Sequence, residues 1–142
     1  MAFQNPSDDE IRRILQNTRR IAVVGLSDKP TRASHGVARL MQQWGFQIIP
    51  VTPKPAAEIL GEPVYADLAS VPGEIDLVDV FRRSEEAGAV VDQAIARGAK
   101  AIWLQLDIID EAAAARAQAA GIPIVMDRCL MVEYGRLFGE NN

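Results

Sequence analysis

Val24-Gly25-Leu26-Ser27-Asp28-Lys29-Pro30-Thr31-Arg32-Ala33-Ser34 carries the end of an apolar run into one glycine, then a short basic loop, then a residue type that caps helices. A strand that turns through glycine into a helix is the opening unit of a parallel α/β protein, and the turn is where such proteins hold phosphate. A nicotinamide-binding turn spends three glycines at fixed spacing: for the tight turn, for close approach of the pyrophosphate, and for packing helix on sheet. Here Gly25 stands alone, and Lys29 and Arg32 bring positive charge in place of the missing glycines. The stretch reads as an anion cradle.

Outward from this loop the pattern repeats. Ile21 to Leu26 is almost unbroken apolar sequence of strand length, as expected of a strand buried on both faces of a parallel sheet. Before it, Ser7-Asp8-Asp9-Glu10 has the spacing of a capping box and predicts a helix with Ile11, Ile14 and Leu15 on one face. After it, Ser34 is expected to cap a helix in which Val37, Leu40, Met41 and Trp44 recur at helical spacing until Gly45. Phe46 to Val51 forms the second strand, closed by Thr52-Pro53-Lys54-Pro55.

Further on, Gly61 to Tyr65 predicts a short edge strand, and Asp67 a cap for a brief helix from Leu68 to Val71. Ile75 to Phe81 is a buried strand interrupted by Asp76 and Asp79; Ser84-Glu85-Glu86 caps and opens a helix that Gly98 ends. Ala101 to Leu106, a helix from Asp110 to Ala120 stopped by Gly121, Ile122 to Met126, and a helix over Arg128 to Phe138 complete the chain. This alternation predicts a three-layer, doubly wound, Rossmann-like α/β fold: a mainly parallel sheet of about five strands with helices on both faces. The 142 residues, 49% of them apolar, fit one domain over 1–142 with its core in about 10–137.

Bulk chemistry narrows the partners. A net charge of -4 with 6% aromatic residues argues against nucleic acid, which is met by a basic face with interleaved aromatics. The single cysteine, Cys129, excludes an internal disulfide and fits a reducing compartment, so a cytoplasmic location is expected. Neither a signal-type apolar region after Met1 to Gln4 nor a run of roughly 20 apolar residues points to a membrane. The one histidine, His35, makes no metal pair.

In a doubly wound sheet, ligands bind outside the carboxyl ends of the strands, where neighbouring connections leave on opposite faces. Four of the five strand ends carry a cation: Lys29 and Arg32, Lys54, Arg82 and Arg83, and Arg128. The end of the second strand decides between ligands. A nicotinamide site places Asp or Glu there for the ribose hydroxyls, whereas this chain has Thr52, Pro53 and Lys54, which favours an extra ribose phosphate as in NADP or coenzyme A. Asp76 and Asp79, an odd offset apart, face opposite sides of their strand and make no acid/base pair.

Five stretches in order resemble the small single-domain CoA-binding proteins, whose fold is shared with the CoA-binding domain of the succinyl-CoA synthetase α subunit. They are Val24 to Pro30 with Arg32 and Ser34, Pro50 to Lys54, Asp79 to Arg82, Ala101 to Leu106, and Val125 to Cys129. The resemblance implies that Gly25, Ser27, Lys29, Arg32 and Ser34 surround the diphosphate. It further implies that Thr52, Pro53 and Lys54 hold the adenosine and its ribose phosphate, and that Phe81 and Arg82 line the pantetheine side. The chain departs from that pattern at Ala33 and Leu130, where proline is common, and at Asp107, where glycine is common and where the distal arm of a ligand would pass.

The function expected is binding of coenzyme A or an acyl-CoA at the carboxyl edge of the sheet, without catalysis and with neither nucleic acid nor membrane as partner. An NADP-dependent reductase and a thiol or acyl transferase working through Cys129 are the enzymatic alternatives. An interaction subunit with an altered pocket, favoured by Asp107, is the third. Cys129 stands beside Arg128 and near an expected helix start, the setting of a reactive thiol, although free cysteines are more often buried and inert.

Overall fold

The computed structural model describes residues 3–53 and 57–139. Helix α1 (Asp8–Gln16) opens on the expected capping box: the Ser7 side chain accepts from the Glu10 amide while the Glu10 carboxylate accepts from the Ser7 amide. Then follow β1 (Arg20–Val24), α2 (Ala33–Gln43) and β2 (Gln47–Val51), and a two-stranded hairpin of β3 (Glu58–Ile59) and β4 (Glu62–Pro63). After a single 3-10 turn at Leu68–Ser70 come β5 (Leu77–Val80), α3 (Ser84–Arg97), β6 (Ile102–Leu104), α4 (Glu111–Ala119), β7 (Ile124–Val125) and α5 (Leu130–Phe138).

Five strands form one parallel sheet in the order β2-β1-β5-β6-β7. Alternation along each strand divides the core into two halves. Ala22, Val24, Val78, Val80, Ile102 and Leu104 face α3 and α4, which meet them with small residues such as Ala87, Ala94, Ala113 and Ala117. Ile21, Val23, Leu77, Trp103 and Val125 face α1, α2 and α5 through Leu15, Val37, Met41 and Leu130. Helices therefore cover both faces, as the unbroken apolar strands require. The alanine-rich α4 is half core, because alanines let it lie close on α3.

The connection from β1 leaves on the α2 face and the connection from β5 on the α3 face, although the two strands are paired neighbours. The switch point of the sheet thus lies between the ends of β1 and β5. Among the described residues no helix is long and apolar enough to cross a membrane.

Three local expectations are corrected. The 61–65 stretch is not an edge strand of the sheet: Glu62–Pro63 pairs antiparallel with Glu58–Ile59, and Tyr65 makes one isolated parallel bridge to Val51. Neither Ser34 nor Ser84 caps its helix; the N-caps of α2 and α3 are Arg32 and Arg83, neither with a side-chain cap bond. Both hydroxyls turn to partners outside their own helix: the Ser84 hydroxyl donates to the Asp107 carbonyl (3.3 Å) and accepts from the Ile109 amide (3.0 Å).

Asp79 sits in the middle of the sheet, registered between Val23 and Trp103, and is 1% exposed with one carboxyl oxygen unpartnered among the described residues. Burial alone pushes its pKa well above the ordinary carboxylate range, so the folded chain keeps the proton that the unfolded chain loses. Its stabilising share is full below the unfolded value and is lost as pH rises through the raised folded value. Asp79→Asn, which carries no charge, should gain on the parent by roughly 1–3 kcal/mol between pH 4 and pH 8. Denaturant unfolding of both proteins across that range measures the difference.

Candidate cofactor-binding site

The cradle is built by its own hydroxyls. The Ser27 amide donates to Ser34 Oγ (3.0 Å), and the Lys29 amide donates to Ser27 Oγ (3.1 Å), so the loop after β1 folds back on the first turn of α2. Ser34 is 6% exposed; its oxygen is engaged as an acceptor and its O–H remains able to donate. The first turn of α2 holds no acidic residue and no side-chain cap, which leaves its amides and the positive end of its dipole directed at the loop.

Gly25 holds the cradle against the sheet. Its φ is +89°, and a Cβ there would stand 2.3 Å from the Phe81 carbonyl oxygen. What demands glycine is thus the close passage of the β1 and β5 ends, which the Phe81 amide closes by donating to the Val24 carbonyl (2.9 Å).

At this switch point lies a cleft of about 310 Å³ lined by Gly25, Ser27, Lys29, Arg32, Ser34, Thr52, Phe81 and Arg82, with Leu26 and Ala33. Eight of the ten residues expected at the cofactor site are therefore together. Pro53 is exposed and outside the lining, and Lys54 lies outside the described residues. The lining carries three cations and no carboxylate. No ion pair engages Lys29, Arg32 or Arg82 among the described residues, whereas Arg83 is turned away onto Glu85 (3.5 Å) and Glu86 (3.2 Å). An exposed pair of that kind contributes little to stability, but it occupies the Arg83 guanidinium, which lies outside this cleft and lines the cavity beyond it.

A second cavity of about 540 Å³ continues from the first through the shared residues Ala33, Phe81 and Arg82. Val37, Leu106 and Ile108 give it apolar walls, and Gln105, Asp107 and Cys129 also line it. Asp107 adopts φ +69° and Asp127 φ +59°, and the Asp107 amide donates to Asp127 Oδ1 (2.8 Å). That left-handed backbone is the physical reason glycine suits position 107, and the bond from its amide to the Asp127 carboxylate helps hold the backbone in that conformation. Gln105 was legible only as a strand-end position; its buried side chain accepts from the Leu130 amide (3.1 Å) and docks α5 onto β6.

A model of the CoA binding domain family matches residues 19–135, which spans every element named in both cavities. The chain belongs to the CoA-binding domain family. Family membership suggests coenzyme A as the ligand. The chain is 43% identical over 132 residues to "Uncharacterized protein YneT" of Bacillus subtilis (strain 168), covering 93% of this chain and 97% of that one. A hypothetical protein from Pyrococcus horikoshii OT3 is 36% identical with a TM-score of 0.89, over 98% of this chain and all of the other. A Thermus thermophilus protein is 35% identical with a TM-score of 0.89, over 94% of this chain and all of the other.

The CoA-binding domain geometry at Gly25 gives a paired prediction. Gly25→Ala should destabilise by at least ~2 kcal/mol, because it adds both a left-handed alanine and a backbone clash. Gly36→Ala, inside α2 where an added Cβ meets nothing within 4 Å, should stabilise by roughly 0.5–1 kcal/mol. Denaturant midpoints of the two variants, read against the parent, decide it.

Proposed function

We propose that this protein binds coenzyme A, or an acyl-CoA, along the carboxyl edge of its sheet and catalyses no reaction of its own. The observation that supports the reading most is the cleft at the β1/β5 switch point, with three unpaired cations and no carboxylate in a chain of net charge -4. Lys29, Arg32 and Arg82 are charge partners for a diphosphate, and the Ser27 and Ser34 hydroxyls and the α2 amides are neutral donors to it. Positive charge concentrated in a cleft raises the local concentration of a polyanion even where the chain as a whole is acidic.

On this reading Thr52, Pro53 and Lys54, after β2, hold the adenosine and its ribose phosphate. Thr52 is buried in the cleft wall, its amide donating to the Tyr65 carbonyl (2.9 Å), so the segment leaves β2 from a fixed point. Phe81 and Arg82 stand between the two cavities and direct the pantetheine arm from one into the other. The contacts are those of recognition: fixed cations, hydroxyls and apolar walls, with the buried acid Asp79 outside both linings.

Lys54→Ala tests the assignment. It should weaken intact CoA by about 1–3 kcal/mol, the range for a lost charge-assisted bond, and leave dephospho-CoA unchanged. Calorimetric titration with both ligands is the measurement, and equal losses would refute the ribose-phosphate role.

A further inference from the structure

The second cavity holds two groups that the binding reading does not use. Gln105 is 4% exposed and lines the cavity; its Oε1 is taken by the Leu130 amide, while its Nε2 has no partner among the described residues. An amide donor left without a protein partner on a side chain that lines this cavity can be met by a carbonyl on the ligand. Cys129 lines the same cavity from the N-cap position of α5, and its side chain makes no cap bond to that helix. It is the only cysteine of the chain.

The spacing matches. From the end of β1 to the end of β7 the edge crosses three strand intervals, roughly 14 Å at ordinary strand separation. The pantetheine arm between diphosphate and sulfur is a chain of about a dozen bonds, roughly 15 Å when extended, and it carries two amide carbonyls on the way. An arm that starts at the cradle and passes Phe81 and Gln105 brings its sulfur to Cys129.

Resting on the CoA reading, we propose that Cys129 is a thiol-exchange site for CoA disulfides. The Cys129 sulfur, its proton given up to solvent, attacks the near sulfur of a CoA disulfide; the S–S bond breaks, a Cys129–CoA mixed disulfide forms, and the departing CoA thiolate takes a proton from solvent. The disulfide supplies the oxidising equivalent, and one CoA is released for each one captured. The step is stoichiometric and is reversed by an added thiol.

Intact-mass kinetics test it, since one cysteine gives one unambiguous adduct, the mass of a CoA less one hydrogen. Modification by CoA disulfide should be at least about tenfold faster than by glutathione disulfide, because the cradle holds the reacting sulfur in place. Saturating desulfo-CoA, which lacks the sulfur, should remove that advantage. Arg32→Ala should lower the CoA disulfide rate toward the glutathione disulfide rate. Equal rates for the two disulfides, or a CoA disulfide rate that desulfo-CoA does not slow, would overturn the proposal. A parallel titration with CoA under excess reductant separates the two claims. Binding there without selective exchange refutes the exchange alone, and no binding refutes the CoA reading together with it.

Discussion

The contact on which the site depends is the passage of Gly25 beneath the Phe81 carbonyl, so close that a methyl group would stand 2.3 Å from the oxygen. It fixes how far the ends of β1 and β5 splay where the sheet reverses direction. Ligand crevices form at such reversals because adjacent loops part to opposite faces. With the two ends held together at the backbone, the loops carrying Ser27 to Ser34 and Phe81 to Arg83 diverge from one point. The cleft and the cavity beyond it are the space between them.

Around that space charge is segregated. Arg83 is bound by its neighbouring glutamates, and Asp76 accepts from the Arg19 and Arg20 amides at the opposite edge of the sheet, with Lys100 beside it. Those amide bonds and Lys100 hold the Asp76 carboxyl low despite partial burial. Lys29, Arg32 and Arg82, by contrast, line the crevice with no ion pair among the described residues. Asp79 is buried with one oxygen unpartnered among the described residues; burial pushes its carboxyl well above the ordinary range, and it costs stability as pH rises.

How much of this could be read from the sequence follows from how local each cause is. The apolar run before Gly25, the Ser7 to Glu10 capping box, the Asp110 cap of α4 and the Gly98 stop act within a few residues, and each lies where the sequence places it. The strand-end rule needs only the order of elements, which is why eight cofactor-site residues expected from it and from the family likeness meet in one cleft. Ser34 and Ser84 defeat local reasoning because their partners, the Ser27 amide and the Asp107–Ile109 loop, are brought to them by the fold. Gln105 is hidden for the same reason: its partner Leu130 is 25 residues away. The Glu58–Pro63 hairpin is different, since its cause is local: Leu60 and Gly61 form its two-residue turn, both at positive φ, and Gly61 is the one sign of it in the sequence.

The central claim is that the β1/β5 crevice takes a CoA-type polyanion, and not a nicotinamide dinucleotide, because its turn has one glycine in place of three and cations without ion pairs line it. Calorimetric titration of the protein with CoA and, separately, with NADPH at the same ionic strength tests it most directly. The account predicts saturable one-site binding of CoA with little or no heat from NADPH; saturable binding of NADPH with none of CoA would contradict it.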